Sequence, residues 1–298
     1  MQAVISFPDI APELVSITLF GIELALRWYA LAYIGGVVLG YLLIRRALAR
    51  PTLWPGNTAP MDREALEDLL FWLVIGIIVG GRLAFVLLYQ PGYYLSHPGD
   101  IIKLWQGGMA FHGGFAGVCV ATLIWCRAKG VSLASTADAL ALVAPIGIGL
   151  GRIANFINNE LWGRPTDVPW AVAFPGPAAQ NCPGVIGICG RHPSQLYEAG
   201  LEGLLLGLIL ALAVWRFGAF RRPWLTTGLF LTLYGLARFF VEFFRLADGQ
   251  FISPDNPYGH VLRLTDSLGI TMGQLLSLPM ILIGLALVVL ALRRAPVT

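Results

Sequence analysis

The stretch that decides the fold is MGQLLSLPMILIGLALVVLAL, residues 272–292, which carries no charge and is closed by Arg293 and Arg294. A run of about 20 apolar residues crosses the hydrocarbon core of a bilayer as a helix rising 1.5 Å per residue. Working back toward the amino end, comparable windows lie at about 226–245, 196–216, 138–157, 108–127, 69–89 and 24–44. The expected fold is an all-α membrane protein of about seven transmembrane helices in a single domain covering 1–298. Composition agrees: the 298 residues are 57% apolar and only 12% charged, where a soluble domain carries roughly 25% charge. The net charge of +3 is dispersed between apolar runs. No basic stripe exists to follow a nucleic acid backbone, so that class of partner is excluded. The first 25 residues hold no Lys or Arg but do hold Pro8, Asp9 and Glu13. That is not the layout of a cleavable signal peptide, and the amino end is expected to be retained.

Short loops rich in Lys and Arg face the cytoplasm. Arg45, Arg46, Arg50 and Arg63 fall between the first two spans, and Arg127 and Lys129 between the third and fourth. Arg216, Arg221 and Arg222 follow the fifth, and Arg293 and Arg294 the seventh, against Lys103, Arg164, Arg191 and Arg263 on the other side. The amino end is therefore expected outside and the carboxyl end in the cytoplasm. Segments 159–195 and 246–271 become extracytoplasmic loops, rich in Pro, Gly, Asn and Asp, with at most short helices. Cys182 and Cys189 lie in the first of them, where a disulfide and two free thiols are both open readings. Cys119 and Cys126 read as small core residues of span three. The 80–81 pair and Gly147, Gly149 and Gly151 read as close helix contacts. His97 and His260 read as ordinary surface residues. No internal repeat is evident, and no Cys/His cluster has metal-ligand spacing, so neither a metal nor another cofactor is expected.

Arg27, Arg82, Arg152, Arg238 and Arg245 fall inside the expected spans. A charge at mid-bilayer costs between ~3 and ~15 kcal/mol depending on method, so each needs a partner or a purpose. Counted along the helices, all five and His112 gather in the outer half of the membrane. On a helix turning about 100° per residue, Tyr234, Arg238, Glu242 and Arg245 fall at about 0°, 40°, 80° and 20°, one polar stripe. Arg152, Asn155 and Asn159 likewise share a face of span four. Ion pairing that merely fixes helix packing is the plain reading for Arg82 with a carboxylate and for Arg27 with Glu23. For the cluster as a whole, arginines outnumber the carboxylates at that depth. Surplus arginine in a poor dielectric asks for an anion, and a lipid phosphate is always at hand, suited to the planar guanidinium fork.

The segment 151–163, GRIANFINNELWG, is long and unusual. It resembles the signature of the prolipoprotein diacylglyceryl transferases of bacterial inner membranes. Arg27-Trp28-Tyr29, Gly108 to Gly114 (GMAFHGG), His192 to Glu198 (HPSQLYE) and the span-six stripe fit the same family in the same order. The resemblance covers nearly the whole chain, with Ala154 standing where the family often has Gly. It implies transfer of the diacylglyceryl group of phosphatidylglycerol to the lipobox cysteine of a prolipoprotein signal peptide, with glycerol phosphate leaving. On this reading Arg152 and Arg238 stabilise the phosphate. His112 is the candidate base for the thiol, since imidazole titrates near neutrality. Its plain alternative is a neutral ring bonded to a backbone carbonyl. Asn155, Asn158, Glu160, Gly163, Tyr29, Tyr234, Glu242 and Arg245 join Arg152 as candidates for binding phosphatidylglycerol, with capping of span four the rival role for the polar residues of 155–160. His192 and Tyr197 mark a candidate precursor entrance. The rivals from other classes are an anion or organophosphate transporter, which usually shows paired halves, and an intramembrane protease. The protease would need a Ser–His pair or two aspartates inside spans, and Ser132, Ser135 and Ser277 lie only at span ends.

Overall fold

The structure is a computed structural model that describes residues 4–19, 22–265 and 268–294. Six helices among them are long and apolar enough to cross a membrane: α1 Trp28–Leu48, α2 Arg63–Tyr89, α3 Phe111–Lys129, α4 Leu133–Ile157, α5 Ser194–Phe217 and α7 Met272–Arg293. Between the last two lies a shorter apolar helix, α6 Leu225–Val241. The protein is thus a multi-pass membrane protein, as its hydropathy implies.

Helices α2, α4 and α7 begin where side chains satisfy their free N–H groups. Asp62 accepts from the Ala65 N–H at the head of α2, and Ser132 from the Ser135 N–H at the head of α4. Thr271 and Gln274 form a reciprocal capping box on α7. The head of α6 is capped from a distance. Asp138, buried in α4, accepts from the N–H groups of Trp224 at 2.8 Å and Thr227 at 2.7 Å, and from the Thr227 hydroxyl at 2.7 Å.

Packing runs α2 on α3, α6 on α7, and α1 and α5 on α4. Backbones meet closely where glycines face each other, the usual device in a medium that gives no hydrophobic drive between helices. A Cβ on Gly117 of α3 would lie 1.9 Å from the Gly76 carbonyl oxygen of α2, and one on Gly80 would lie 2.3 Å from that of Gly113. Gly149 of α4 and Gly203 of α5 touch in the same way, as do Gly36 and Gly147, whereas a Cβ on Gly151 would meet nothing. The outward surface is apolar, with Phe71, Leu208, Leu282 and Ile283 all exposed, while Asp138, Gln195, Glu198 and Glu202 are buried.

Several boundaries differ from the sequence reading. The first span starts at Trp28 rather than near 24, because residues before it form an antiparallel hairpin of β2 Glu13–Leu19 and β3 Ile22–Arg27. Leu14, Val15, Ile17 and Leu26 make this hairpin as apolar as a helix, so composition cannot separate the two. Arg27 therefore ends a strand, exposed, with its Nε 3.5 Å from Glu13; the side chain of Glu23 lies outside the described residues. Helix α6 ends at Val241, so Glu242 and Arg245 belong to the turn that follows.

The connecting segments also hold short strands as well as short helices: β4 Val172–Ala173 pairs in parallel with β1 Ile5–Ser6, and β5 His260–Arg263 pairs with β6 Gly269–Thr271. Cys182 and Cys189 form a disulfide. Cys126 is a buried core thiol, but Cys119 faces outward and does not fill the core. His260 is buried at 9% exposure rather than a surface residue. Burial, followed by the charges of Arg164 and Arg263, lowers its pKa, and its Nδ1 has no hydrogen-bond partner.

Candidate active site

Two glutamates of α5 organise the site. Glu198 and Glu202 stand four residues apart, both with no exposed surface, and the helix between them widens into a π-type segment, Ala199–Leu205. Such segments are common at functional sites. Around the two carboxylates stand Arg152 from α4, Arg238 from α6 and Arg245 from the turn after it. Arg238 Nη1 donates to Glu198 Oε1 at 2.6 Å, Arg152 Nε lies 3.2 Å from Glu198 Oε2, and Arg245 Nε lies 3.8 Å from Oε1. Arg152 Nε is also 3.9 Å from Glu202. Glu242 pairs with Arg238 and, at 3.4 Å, with Arg245, and it accepts from the Thr271 hydroxyl at 2.7 Å. It fits against α7 because residue 273 is glycine; a Cβ there would lie 2.4 Å from its carboxyl carbon. Tyr234 lies within electrostatic reach of Glu202, Arg152, Arg238 and Glu198.

Among the described residues the expected surplus of arginine is therefore not present. Three arginines face three glutamates, because α5 supplies two carboxylates that the sequence reading did not count. Glu198 is the last residue of the quoted HPSQLYE stretch, and Glu202 lies one turn on in an otherwise apolar run. Two glutamates at that spacing inside a span are the signal that would have found them.

What distinguishes the arginines is how their donors are engaged. Arg82 is buried and points its guanidinium at backbone carbonyls: Ile101 at 2.7 Å, Asp100 at 2.7 Å, Gly107 at 2.5 Å and Gly108 at 3.1 Å. It pairs with no carboxylate among the described residues and pins the segment after α2, so it leaves the candidate cluster. Arg152 shows the opposite pattern. It has two ion pairs through its Nε edge, and none of the hydrogen bonds among the described residues uses it. Among the described residues its terminal nitrogens therefore donate to no protein group, and the side chain keeps 21% of its surface exposed.

Beside Arg152, Asn155 Nδ2 donates to the Tyr29 hydroxyl and, at 2.8 Å, to Glu160 Oε1. Gln195 in turn donates to the Glu160 carbonyl at 2.6 Å. This chain ties α1, α4 and α5 together at one end of the bundle. Asn158 and Asn159 line a cavity of about 570 Å³ with residues 6–10 and Pro12 of the amino-terminal segment, and the side-chain oxygen of each is buried without a donor among the described residues. Gly163 makes a bridge to Arg245 and must be glycine, since a Cβ would lie 2.5 Å from the Phe244 carbonyl oxygen.

His192 and Tyr197 do meet, with Nδ1 3.1 Å from the phenol oxygen, which also accepts from the Trp170 indole at 2.7 Å. Burial and then the Arg164 charge lower the His192 pKa, which favours the neutral ring. His112 is exposed in the first turn of α3, its ring edge-on to that of the neighbouring Phe111. No hydrogen bond among the described residues joins it to the arginines or to a backbone carbonyl.

Two further arginines, read from sequence only as loop charges, are structural. Arg191 is buried and donates to the carbonyls of Ala179, Gly163 and Asn181. Arg164 donates to the Arg245 carbonyl at 2.9 Å and lies over the Tyr258 ring.

The model of the family described as prolipoprotein diacylglyceryl transferase matches residues 17–290. The chain belongs to that family. It is 59% identical to the phosphatidylglycerol–prolipoprotein diacylglyceryl transferase of Ruegeria pomeroyi, with 96% of each chain covered. Identity to the protein of that name from Roseobacter denitrificans is 57%, over 97% of this chain and 98% of the relative. For the relative from Methylocella silvestris it is 50%, over 100% and 99%. In this member of the diacylglyceryl transferase family the arginine–glutamate cluster lies inside the matched range, as do Tyr29, His112 and the Asn155–Glu160 pair.

Proposed function

We propose that this enzyme transfers the diacylglyceryl group of phosphatidylglycerol to the thiol of the lipobox cysteine in a prolipoprotein signal peptide. The observation that carries this reading is the open fork of Arg152, held on one edge by carboxylates beside Arg238 and Arg245 in a buried site of a membrane protein. The thiolate attacks the glycerol carbon that bears the phosphate. The C–S bond forms as the C–O bond breaks, and glycerol phosphate leaves with the bonding electron pair. The thiol proton passes to a base and then to solvent or the leaving phosphate. Charge grows on the phosphate oxygen during the step, where guanidinium donors stabilise it most. Since the cluster is balanced by three glutamates, recognition rests on directed N–H groups rather than on net charge. Tyr29, Asn155, Asn158, Glu160, Gly163, Tyr234, Glu242 and Arg245 complete the head-group site on this reading, and His192 with Tyr197 flanks the precursor's way in. The transporter alternative is not favoured, given the full-length family match.

The deciding experiment incubates purified protein with phosphatidylglycerol and a lipobox peptide. The peptide cysteine should gain the mass of one diacylglyceryl group while glycerol phosphate appears. Equal use of phosphatidylethanolamine would exclude the proposed donor.

His112 is the proposed base; no hydrogen bond among the described residues uses its ring nitrogens. A thiol of ordinary pKa, about 8.5, is mostly protonated at neutral pH. His112→Ala should therefore slow turnover while phosphatidylglycerol still binds, and raising the pH toward 8.5 should recover part of the rate by ionising the thiol directly. A flat comparison with wild type across that range removes His112 from the mechanism.

The Lys/Arg bias further supports a bacterial inner-membrane protein with its amino end and segments 159–195 and 246–271 on the periplasmic face. Single cysteines introduced in those segments should label with an impermeant thiol reagent from outside, and cysteines placed near Arg127 or Arg221 should not. The reverse pattern would invert the topology.

A further inference from the structure

We propose that Glu202 is a positioning residue that holds Arg152 by charge while leaving its N–H groups free for the lipid phosphate; this rests on the transferase reading above. Glu202 has no exposed surface, and neither of its carboxylate oxygens accepts a hydrogen bond among the described residues. Buried carboxylates nearly always have donors, so an exception asks for an explanation. Its ion pair is with Arg152, at 3.9 Å, whereas Glu198 is shared among Arg152, Arg238 and Arg245.

The separation matters because two forces fall off differently with distance. Coulomb attraction declines only as the inverse of distance, but a hydrogen bond is lost beyond about 3.5 Å. A carboxylate at 3.9 Å therefore draws the guanidinium toward α5 without occupying a donor. A carboxylate in close bidentate contact would instead fill the fork that the phosphate needs.

The backbone fixes this separation. Gly203 follows Glu202, and Gly149 lies one turn before Arg152 on α4. A Cβ on Gly203 would come 2.5 Å from the Gly149 Cα, so the two helices are in contact at this level. The π-type segment that carries Glu202 sets its side chain on the same side as Glu198, toward α4 and α6. Glu202 is thus held by backbone contact, and Arg152 is steered by Glu202.

The test measures binding of short-chain phosphatidylglycerol, and of the matching diacylglycerol without phosphate, to the full-length protein. Glu202→Gln keeps the shape and removes the charge. Its affinity for phosphatidylglycerol should fall about tenfold, the size of a coupling between neighbouring groups, while its affinity for diacylglycerol stays within twofold. Arg152→Gln should show the same selectivity, and Glu202→Asp, which restores the charge on a shorter arm, should recover part of the loss. Unchanged affinity for both lipids, or an equal fall for both, overturns the proposal; an equal fall would assign Glu202 to helix packing. If wild-type protein transfers no diacylglyceryl group, the functional reading fails instead.

Discussion

Arg152→Lys is expected to lose about a hundredfold in transfer rate, close to the loss from Arg152→Ala. Removing a single donor aimed at developing charge costs ~3 kcal/mol, which corresponds to that factor. Lysine keeps a positive charge, so a role for charge alone predicts near-normal activity. It lacks the planar fork, however, and its compact ammonium would be drawn into close contact with Glu198, which lies only 3.2 Å from the arginine Nε. The open donors of Arg152 are the feature that lysine cannot reproduce. Steady-state transfer at matched expression and thermal stability decides the matter. Retention of more than about a third of the wild-type rate would exclude bidentate recognition of phosphate by this residue. The same substitution at Arg294, the last described residue and far from the cluster in sequence, should be silent.

The second large effect is on stability. Glu198→Ala should lower unfolding free energy by ~3–5 kcal/mol, the usual result of removing one partner from a buried ion pair. Here one carboxylate faces three guanidinium groups within 3.8 Å. Its loss leaves Arg238 dependent on Glu242 and Arg152 dependent on Glu202. Glu198→Gln, which can still accept a hydrogen bond from Arg238, should be markedly milder. Thermal unfolding in one detergent, with the two variants measured side by side, checks both expectations. An alanine variant as stable as wild type would show that the carboxylate is dispensable to the cluster.

The sequence showed most of the helices and the arginine segment, for specific physical reasons. Spans two to five and seven stand out because charges close them at one end or both, as Arg293 and Arg294 do after α7. Arg152 stands out because the bilayer makes any deep charge conspicuous. Other features depend on which parts of the chain return to each other, which linear distance does not reveal. Nothing near Arg82 shows that residues 100–108 fold back to place five carbonyls around it. The match of three glutamates to three arginines likewise needs α5 laid against α4 and α6. The start of α1 was misplaced because a β-hairpin with apolar side chains and a helix have the same mean hydropathy. The stripe expected from Tyr234, Arg238, Glu242 and Arg245 runs past the end of the helix at Val241, although Arg238, Glu242 and Arg245 do pair in space.

That early stop has a consequence for the lipid around the protein. Helix α6 has 17 residues and so a length of about 26 Å, against a hydrocarbon thickness of about 30 Å. Leu236 and Phe240 on its last two turns are exposed, so the protein leaves this side of the short helix uncovered. A bilayer meeting a short hydrophobic wall thins to match it. The thinning would fall beside the turn that carries Glu242 and Arg245. There a phospholipid's polar head would sink toward the midplane before it leaves the bulk leaflet, shortening the descent that its phosphate makes to reach the arginines.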